Sequence, residues 1–473
     1  MKKKDNNKYG VTMKKLKVLL LMFLLLPCFL FGCSLPTNEV YVSDIVKGET
    51  IGDITTYIIK YSDGTKAHFS VENGKDGVDG ENLTLDVVKE YCEEKGITLD
   101  EYFHRMSVSI DPIKQATNYA LRSAVSIYTE DVYSMNKNYK VMYAGAGVIY
   151  KMTDEYSYII TNYHVVASEN SASGLMDEIT IFQYGANISI GGVGGYIQSG
   201  DSKLYSDYSY GDDAISATCI GGTEDFDLAV LKVPTSKLKS FNPNACPADV
   251  AEDYDVADTA IAIGNPKGFG VSVTSGIVSV ESETIQYDNT SPELRVMRID
   301  TAINGGNSGG GVFNSKGELI GIVNAKIEDS SIDNMAYALP IDCVYKVADN
   351  LIYYYETSSN FATIKRPLLN INYYTENSRA VYNPEDNTTK IYDDLVIHSV
   401  DNGGIGHTLG LNTDYIITSI YINNDEHKIN RSFELPDWLL TVRVGDKIAI
   451  GFLDASKNAS VTPEITILAS HLQ

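Results

Sequence analysis

Between about Ser107 and Asn350 the chain is written in short apolar runs cut by glycine. Ser126-Ile127-Tyr128, Gly147-Val148-Ile149-Tyr150, Tyr158-Ile159-Ile160 and Ala229-Val230-Leu231-Lys232-Val233 are followed by Ile261-Ala262-Ile263-Gly264 and Glu318-Leu319-Ile320-Gly321-Ile322-Val323. Runs this short are too brief for the buried stripe of an amphipathic helix, and their β-branched content suits a pleated surface. Their regular spacing with turn signals between them predicts a barrel or sandwich rather than alternating β and α units. The middle of the chain should therefore be mainly β.

With 473 residues, the chain is long enough for several independently cored domains. A hydrophobic fraction of 44% supports packed cores rather than disorder. The 62 acidic side chains outnumber the 38 Lys and Arg, for a net charge of -24. That balance speaks against general nucleic-acid binding, which needs clustered cations for phosphates.

The positive charge is concentrated at the start. Residues 1–32 hold Lys2, Lys3, Lys4, Lys8, Lys14, Lys15 and Lys17 against Asp5 alone, so the remainder is more acidic than the whole, at -30. Val18 to Gly32 is an uncharged run of 15 residues that ends at Cys33. A membrane-spanning helix needs about 20 such residues, so a basic head and short apolar stretch read as a secretory signal over residues 1–32. Translation could begin at Met1 or at Met13, which directly precedes a complete signal. Leu30-Phe31-Gly32-Cys33 resembles the lipobox of bacterial lipoproteins. That resemblance implies diacylated Cys33 as the mature N-terminus and a lipid-anchored protein on the outer face of the cell membrane. An ordinary signal or an uncleaved anchor is the alternative.

Residues 33–106 read as a tether with a small module. Ile58-Ile59-Lys60-Tyr61 and His68-Phe69-Ser70-Val71 flank Asp63-Gly64, a hairpin signal because the turn needs positive φ. A helical pattern runs from Thr84 to Gly96, and Thr98-Leu99-Asp100-Glu101 forms a capping box for a second helix. Residues 185–213, rich in Gly, Ser, Tyr and Asp, are expected to be a surface loop. Cys92, Cys219, Cys246 and Cys343 show no CxxC spacing, so no metal site is expected; three pairings or free buried thiols all fit.

Three weak signals become strong together. His164 lies in Thr161-Asn162-Tyr163-His164-Val165-Val166 between two strand patterns. Asp227 heads the run Leu228-Ala229-Val230-Leu231, and Ser308 sits among Gly305-Gly306-Asn307-Ser308-Gly309-Gly310-Gly311. An activated serine needs a base within reach, and that base needs an acid to hold its tautomer. Glycines beside the serine let backbone N–H groups converge on an oxyanion. The order His, Asp, Ser through a β domain is the chymotrypsin order.

Residues 107–350 resemble the trypsin-like proteases of the HtrA/Deg group. The resemblance is carried by Gly145-Ala146-Gly147-Val148-Ile149, Ala262-Ile263-Gly264-Asn265-Pro266, Thr274-Ser275-Gly276-Ile277-Val278, Asp300 to Gly310, and Ala336-Tyr337-Ala338-Leu339-Pro340-Ile341. It implies a double β-barrel with Ser308 as nucleophile, His164 as base and Asp227 as its orienting acid. Asp227 is preferred to Asp225 because it directly precedes the strand. The oxyanion donors would be the N–H groups of Gly306 and Ser308. Ala302 would lie at the base of the S1 pocket, implying cleavage after small or medium aliphatic residues, while Lys326 falls at the pocket wall where relatives place an aliphatic residue. Gly305 stands where relatives carry a larger residue.

Residues 358–473 resemble a PDZ domain, with Arg366-Pro367-Leu368-Leu369-Asn370-Ile371 at the carboxylate-binding loop and first binding strand. Leu369, Asn370 and Ile371 would then hold a peptide C-terminus, with Asn370 replacing the family's glycine. The expected protein is a membrane-tethered extracytoplasmic serine endopeptidase for misfolded or exported proteins, needing no cofactor and, by resemblance, forming a homotrimer. The competing expectation is a surface chaperone or peptide-binding protein on a protease scaffold.

Overall fold

The computed structural model describes residues 42–51, 54–61 and 66–72 of an N-terminal unit. It also describes residues 112–473 apart from 287–291, 325–334 and 385–387. Cys33, Cys92, Lys326, the signal segment and the two helical patterns after Thr84 lie outside the described residues. In the first unit, β2 (Ile54–Tyr61) and β3 (Lys66–Glu72) pair antiparallel with Lys60 opposite Lys66, as the Asp-Gly hairpin signal predicts. A third strand, β1 (Val42–Ile51), joins β2 where sequence reading expected only tether.

The second unit starts with α1 (Pro112–Ala120), then builds a seven-stranded antiparallel sheet. Its strands are β4 (Ala124–Val132), β5 (Lys140–Met152), β6 (Tyr156–Thr161), β7 (Glu178–Gln183), β10 (Ile215–Ser216), β11 (Thr218–Thr223) and β12 (Leu228–Pro234). The order is β10-β7-β4-β5-β6-β12-β11. β10 and β11 lie at opposite ends of that order, yet only Ala217 separates them in the chain. The sheet must therefore curl until its ends approach, which encloses Ile127, Ile149, Ile159, Ile181 and Leu231 in a fully buried core.

A second barrel closes completely in the order β13-β14-β15-β18-β17-β16. These strands are β13 (Thr259–Gly264), β14 (Ser272–Ile285), β15 (Leu294–Ile299), β16 (Gly311–Phe313), β17 (Leu319–Val323) and β18 (Ala336–Pro340). Closure removes free strand edges and surrounds Ile261, Val296, Phe313 and Ile322. The helix α4 (Ile341–Ser358) then covers the barrels through Val344, Val347 and Leu351. One-turn α2 (Tyr163–Val166) and α3 (Thr235–Phe241) complete the mainly β fold, a double barrel as expected.

The stretch 185–213 corrects the expectation of a loop. It contains a two-stranded sheet of its own, β8 (Gly191–Ser199) with β9 (Ser202–Ser209). Glycine gives the reason: a Cβ on Gly192 would fall 2.1 Å from the Tyr205 ring, so the bare backbone lets that aromatic lie across it. Tyr210 donates its hydroxyl to buried Glu130 Oε1 at 2.6 Å, fastening the segment onto β4.

The longest strands of the C-terminal module are β19 (Ile371–Asn383), at one edge of its sheet, and β20 (Thr388–Val400). Beyond them come β21 (Ile416–Ile422), β22 (Asp425–Lys428), β23 (Lys447–Leu453), β24 (Ala459–Val461) and β25 (Ile465–Thr466). The sheet is ordered β19-β20-β21-β23-β24, with β22 on β21 and β25 on β23. Helices α5 (Ile405–Thr408) and α6 (Glu434–Leu439) help enclose Ile397, Ile420, Val442 and Ile450. Ionic contacts join this module to the second barrel. Arg295 of β15 donates to Asp342 of α4 and to Asp437 of α6, each at 2.7 Å, and its guanidinium stacks 3.4 Å from the Phe433 ring centroid.

Candidate active site

Each of the three chemical side chains is placed by a different local device. His164 occupies α2, the single turn that follows β6. Asp227 ends the turn between β11 and β12, with φ at +45° in the left-handed region. Such a conformation costs a non-glycine residue about 1–3 kcal/mol and persists only where surroundings impose it. Here Asp227 N–H donates to Glu224 O at 3.1 Å, while Asp227 O accepts from Tyr163 N at 3.1 Å and Asn162 Nδ2 at 3.0 Å. The backbone of the acid is therefore bonded to the two residues that precede the histidine.

The carboxylate completes the link. Asp227 Oδ1 accepts from the backbone N–H of His164 at 2.9 Å, and Oδ2 meets His164 Nδ1 at 2.7 Å. A carboxylate acceptor there assigns the proton to Nδ1, leaving Nε2 as a basic lone pair. The Asp227 side chain is 7% exposed and that of His164 25%, so the pair is shielded on the acid side and open on the base side. Asp225, two residues earlier, is exposed and takes no part in the pair.

Ser308 stands between β15 and β16 in a loop that packs against β5 and β6. Its carbonyl accepts from Ala146 N at 2.8 Å. A Cβ on Gly309 would lie 2.2 Å from Thr161 Oγ1 and 3.1 Å from Asn162 N, which places the serine loop directly against the segment carrying His164. The hydrogen bonds among the described residues include none between Ser308 Oγ and His164 Nε2. Bonds of this kind are often long or poorly aligned before substrate binds.

Gly306, two residues before the serine, occupies a place that only glycine fits. Its φ is +97°, and a Cβ there would fall 2.3 Å from Asn265 O. Lys267 N donates to Gly305 O at 2.8 Å and Asn265 N to Gly306 O at 3.3 Å, so the loop is tied through its carbonyls. The N–H groups of Gly306 and Ser308 donate to no acceptor among the described residues, so both remain available as hydrogen-bond donors. Ala302 is exposed, with its carbonyl accepting from Thr274 Oγ1 at 2.9 Å.

Sequence reasoning missed three asparagines. Asn324 Nδ2 donates to Asp227 Oδ2, Asn162 braces the Asp227 backbone, and Asn265 Nδ2 donates to Gly145 O at 3.1 Å under the serine loop. Asn162 and Asn265 stand inside the quoted motifs. Asn324 had only its place after a strand to mark it.

In the C-terminal module, Asn370 has φ at +57°, a left-handed conformation that asparagine tolerates better than most residues. The N–H groups of Leu369 and Asn370 donate to no acceptor among the described residues. Ile371 opens the edge strand β19.

Comparison with known proteins matches residues 145–322 to the trypsin-like peptidase domain family. The serine protease Do-like HtrA of Lactococcus lactis subsp. cremoris is 27% identical over 356 residues, 72% of this chain and 75% of that protein. The serine protease Do-like HtrB of Bacillus subtilis is 26% identical over 334 residues, 68% of this chain and 62% of that protein. The solved serine endoprotease from Yersinia pestis aligns with 75% of this chain and 97% of its own, at 22% identity and a TM-score of 0.42. The chain carries a trypsin-like serine protease domain of HtrA type and is a serine endopeptidase.

Proposed function

We propose that this endopeptidase works outside the cytoplasm, tethered to the cell membrane, and degrades misfolded or exported proteins with His164, Asp227 and Ser308 as its triad. The observation that carries the assignment is the double contact of Asp227 with His164, set against the loop of Ser308.

Chemistry follows from the geometry. Ser308 Oγ attacks the peptide carbonyl carbon as His164 Nε2 takes its proton. Asp227 holds the imidazole by its Nδ1–H and stabilises the imidazolium that forms. The carbonyl oxygen, now negative, receives the N–H groups of Gly306 and Ser308. His164 then protonates the leaving amine, the C–N bond breaks, and an acyl ester remains on Ser308. Water, deprotonated by His164, attacks that ester; the bond from Ser308 Oγ to the acyl carbon breaks, the acid leaves, and His164 returns the proton to Oγ.

An exposed alanine at position 302, with no carboxylate, supports a preference for small or medium aliphatic P1 residues. The unpaired N–H groups at Leu369 and Asn370, beside the edge strand β19, support PDZ-like capture of peptide C-termini by strand addition. The lipobox-like sequence at Cys33 supports a diacyl anchor, which holds a protein firmly where a single chain does not. By resemblance the working form is a homotrimer.

Degradation of unfolded casein by the wild type and by Ser308→Ala tests the reading. Wild-type degradation that the variant lacks is expected. Equal degradation by both would end the triad assignment, and none by either would favour the chaperone reading. Detergent-phase partitioning unchanged by Cys33→Ser would remove the anchor. A preference for Lys or Arg at P1 would remove the aliphatic S1 pocket.

A further inference from the structure

The chain leaves α4 through Ser359 and enters the C-terminal module by way of residues 360–366. This segment is bonded to the peptidase on the way. Ala362 N donates to Ile220 O at 2.8 Å, and Gly222 N donates to Ala362 O at 3.1 Å, a parallel bridge centred on Gly221. β11 is an end strand of the first sheet, so Ala362 occupies an edge that would otherwise be open. The fit is close. A Cβ on Gly221 would lie 2.9 Å from Ala362 O and 3.0 Å from Ala362 Cβ.

The other side of that edge faces the triad. A Cβ on Gly222 would lie 2.6 Å from Tyr163 Cδ2, and Tyr163 is the residue whose N–H binds Asp227 O. One residue before Asp227, the Phe226 ring centroid lies 5.6 Å from the guanidinium of Arg366. Arg366 also donates to Pro436 O of α6 at 3.3 Å. Fully buried Asn350 of α4 fixes the whole segment, donating to Lys365 O at 2.9 Å and Leu440 O at 2.7 Å while its Oδ1 accepts from Lys365 N at 3.1 Å. The turn bearing Asp227 is thus gripped by the strap that joins the two modules.

We infer that Ala362 and Arg366 are positioning residues for the triad, holding the 224–227 turn so that Asp227 keeps the left-handed backbone that aims its carboxylate at His164. The inference rests on the triad roles proposed above and goes beyond them. It makes the path into the C-terminal module part of the machinery that aligns the acid. Neither residue touches substrate; both act through Asp227.

The test uses the full chain. Gly221→Ala adds one methyl against Ala362 at a glycine whose φ is not in the left-handed region, so displacement of the strap is its main consequence. Turnover of a peptide with an aliphatic P1 residue, per active site titrated, is expected to fall about 10- to 100-fold with KM changed less than about twofold. The downfield proton resonance of the His164 Nδ1–H should shift or broaden. Gly221→Ala with Ala362→Gly, which removes the Ala362 Cβ but leaves the carbonyl oxygen, should recover part of the turnover. Arg366→Ala should lower turnover in the same direction by less.

The inference is overturned if Gly221→Ala keeps wild-type turnover and resonance. It is equally overturned if the lost activity is accounted for by lost folded protein, with normal turnover per titrated site. Failure of the underlying triad looks different: Ser308→Ala would then hydrolyse the peptide as well as wild type.

Discussion

Asn324 Nδ2 donates to Asp227 Oδ2 at 2.9 Å, sharing the oxygen that meets His164 Nδ1 at 2.7 Å. Asn324 is buried just beyond β17, with its backbone N–H on Tyr337 O at 2.9 Å. A residue of the second barrel thus steadies the acid of the first. Asn324→Ala removes that donor and should cost about 1–2 kcal/mol of transition-state stabilisation, a roughly 5- to 30-fold lower kcat. Steady-state kinetics should show KM nearly unchanged; a loss confined to KM would contradict the role.

The serine loop offers a matched pair of glycines. Gly306→Ala places a methyl against Asn265 O in a left-handed backbone, so the loop must move and its N–H must turn away. Loss of one oxyanion donor lowers kcat about 100- to 1,000-fold. At Gly305 a Cβ meets nothing within 4 Å, so Gly305→Ala should keep activity or raise it by stiffening the loop. Equal damage from both substitutions would refute this assignment of the loop.

The junction of barrel and C-terminal module should give a pH-dependent stability. Burial pushes the Asp437 carboxyl up to about 6, with Asp342 adding to the rise while Arg295 and Lys346 oppose it. The folded state therefore holds a proton that the unfolded chain has released, and stability is lost as pH rises from about 4 through about 6. Two pKa units correspond to about 3 kcal/mol at most. Denaturant unfolding of Asp437→Asn across this range should show a flatter slope than wild type. Half-buried Glu434, raised in the same direction by desolvation, leaves part of the slope in place. An unchanged slope would mean that Asp437 titrates normally.

Cys219, Cys246 and Cys343 are free thiols. Burial pushes Cys219 up to about 12 and Cys343 well above its usual range. The thiolate is the reactive form, so iodoacetamide at pH 8 should spare both in the folded protein and modify them in denaturant. Peptide mass mapping reads the result, and ready labelling of either in the native protein would contradict it.

How much of this was legible beforehand differs from residue to residue. The strands around Ile127, Ile149, Ile159 and Leu231 announced themselves because β-branched runs between glycines have few other uses. His164, Asp227 and Ser308 emerged from their order and neighbours, and Gly306 from the close approach only glycine permits. The hairpin at 191–209 was hidden because its stability comes from tyrosines crossing bare glycine backbone, a tertiary effect that composition does not show. Asn324 was hidden for a related reason: its partner lies 97 residues away. The grip of Ala362 on β11 is likewise a pairing between distant segments, with no local pattern to mark it.

The most direct test of the catalytic claim is covalent. A fluorophosphonate reacts with a serine only when a neighbouring base activates it, so the purified protein should be labelled once, at Ser308. Mass spectrometry of the peptide containing Gly306-Asn307-Ser308 should carry the adduct in wild type and lose it in His164→Ala. Absence of label from the active wild type, or labelling of Ser308 that survives His164→Ala unchanged, would contradict the triad.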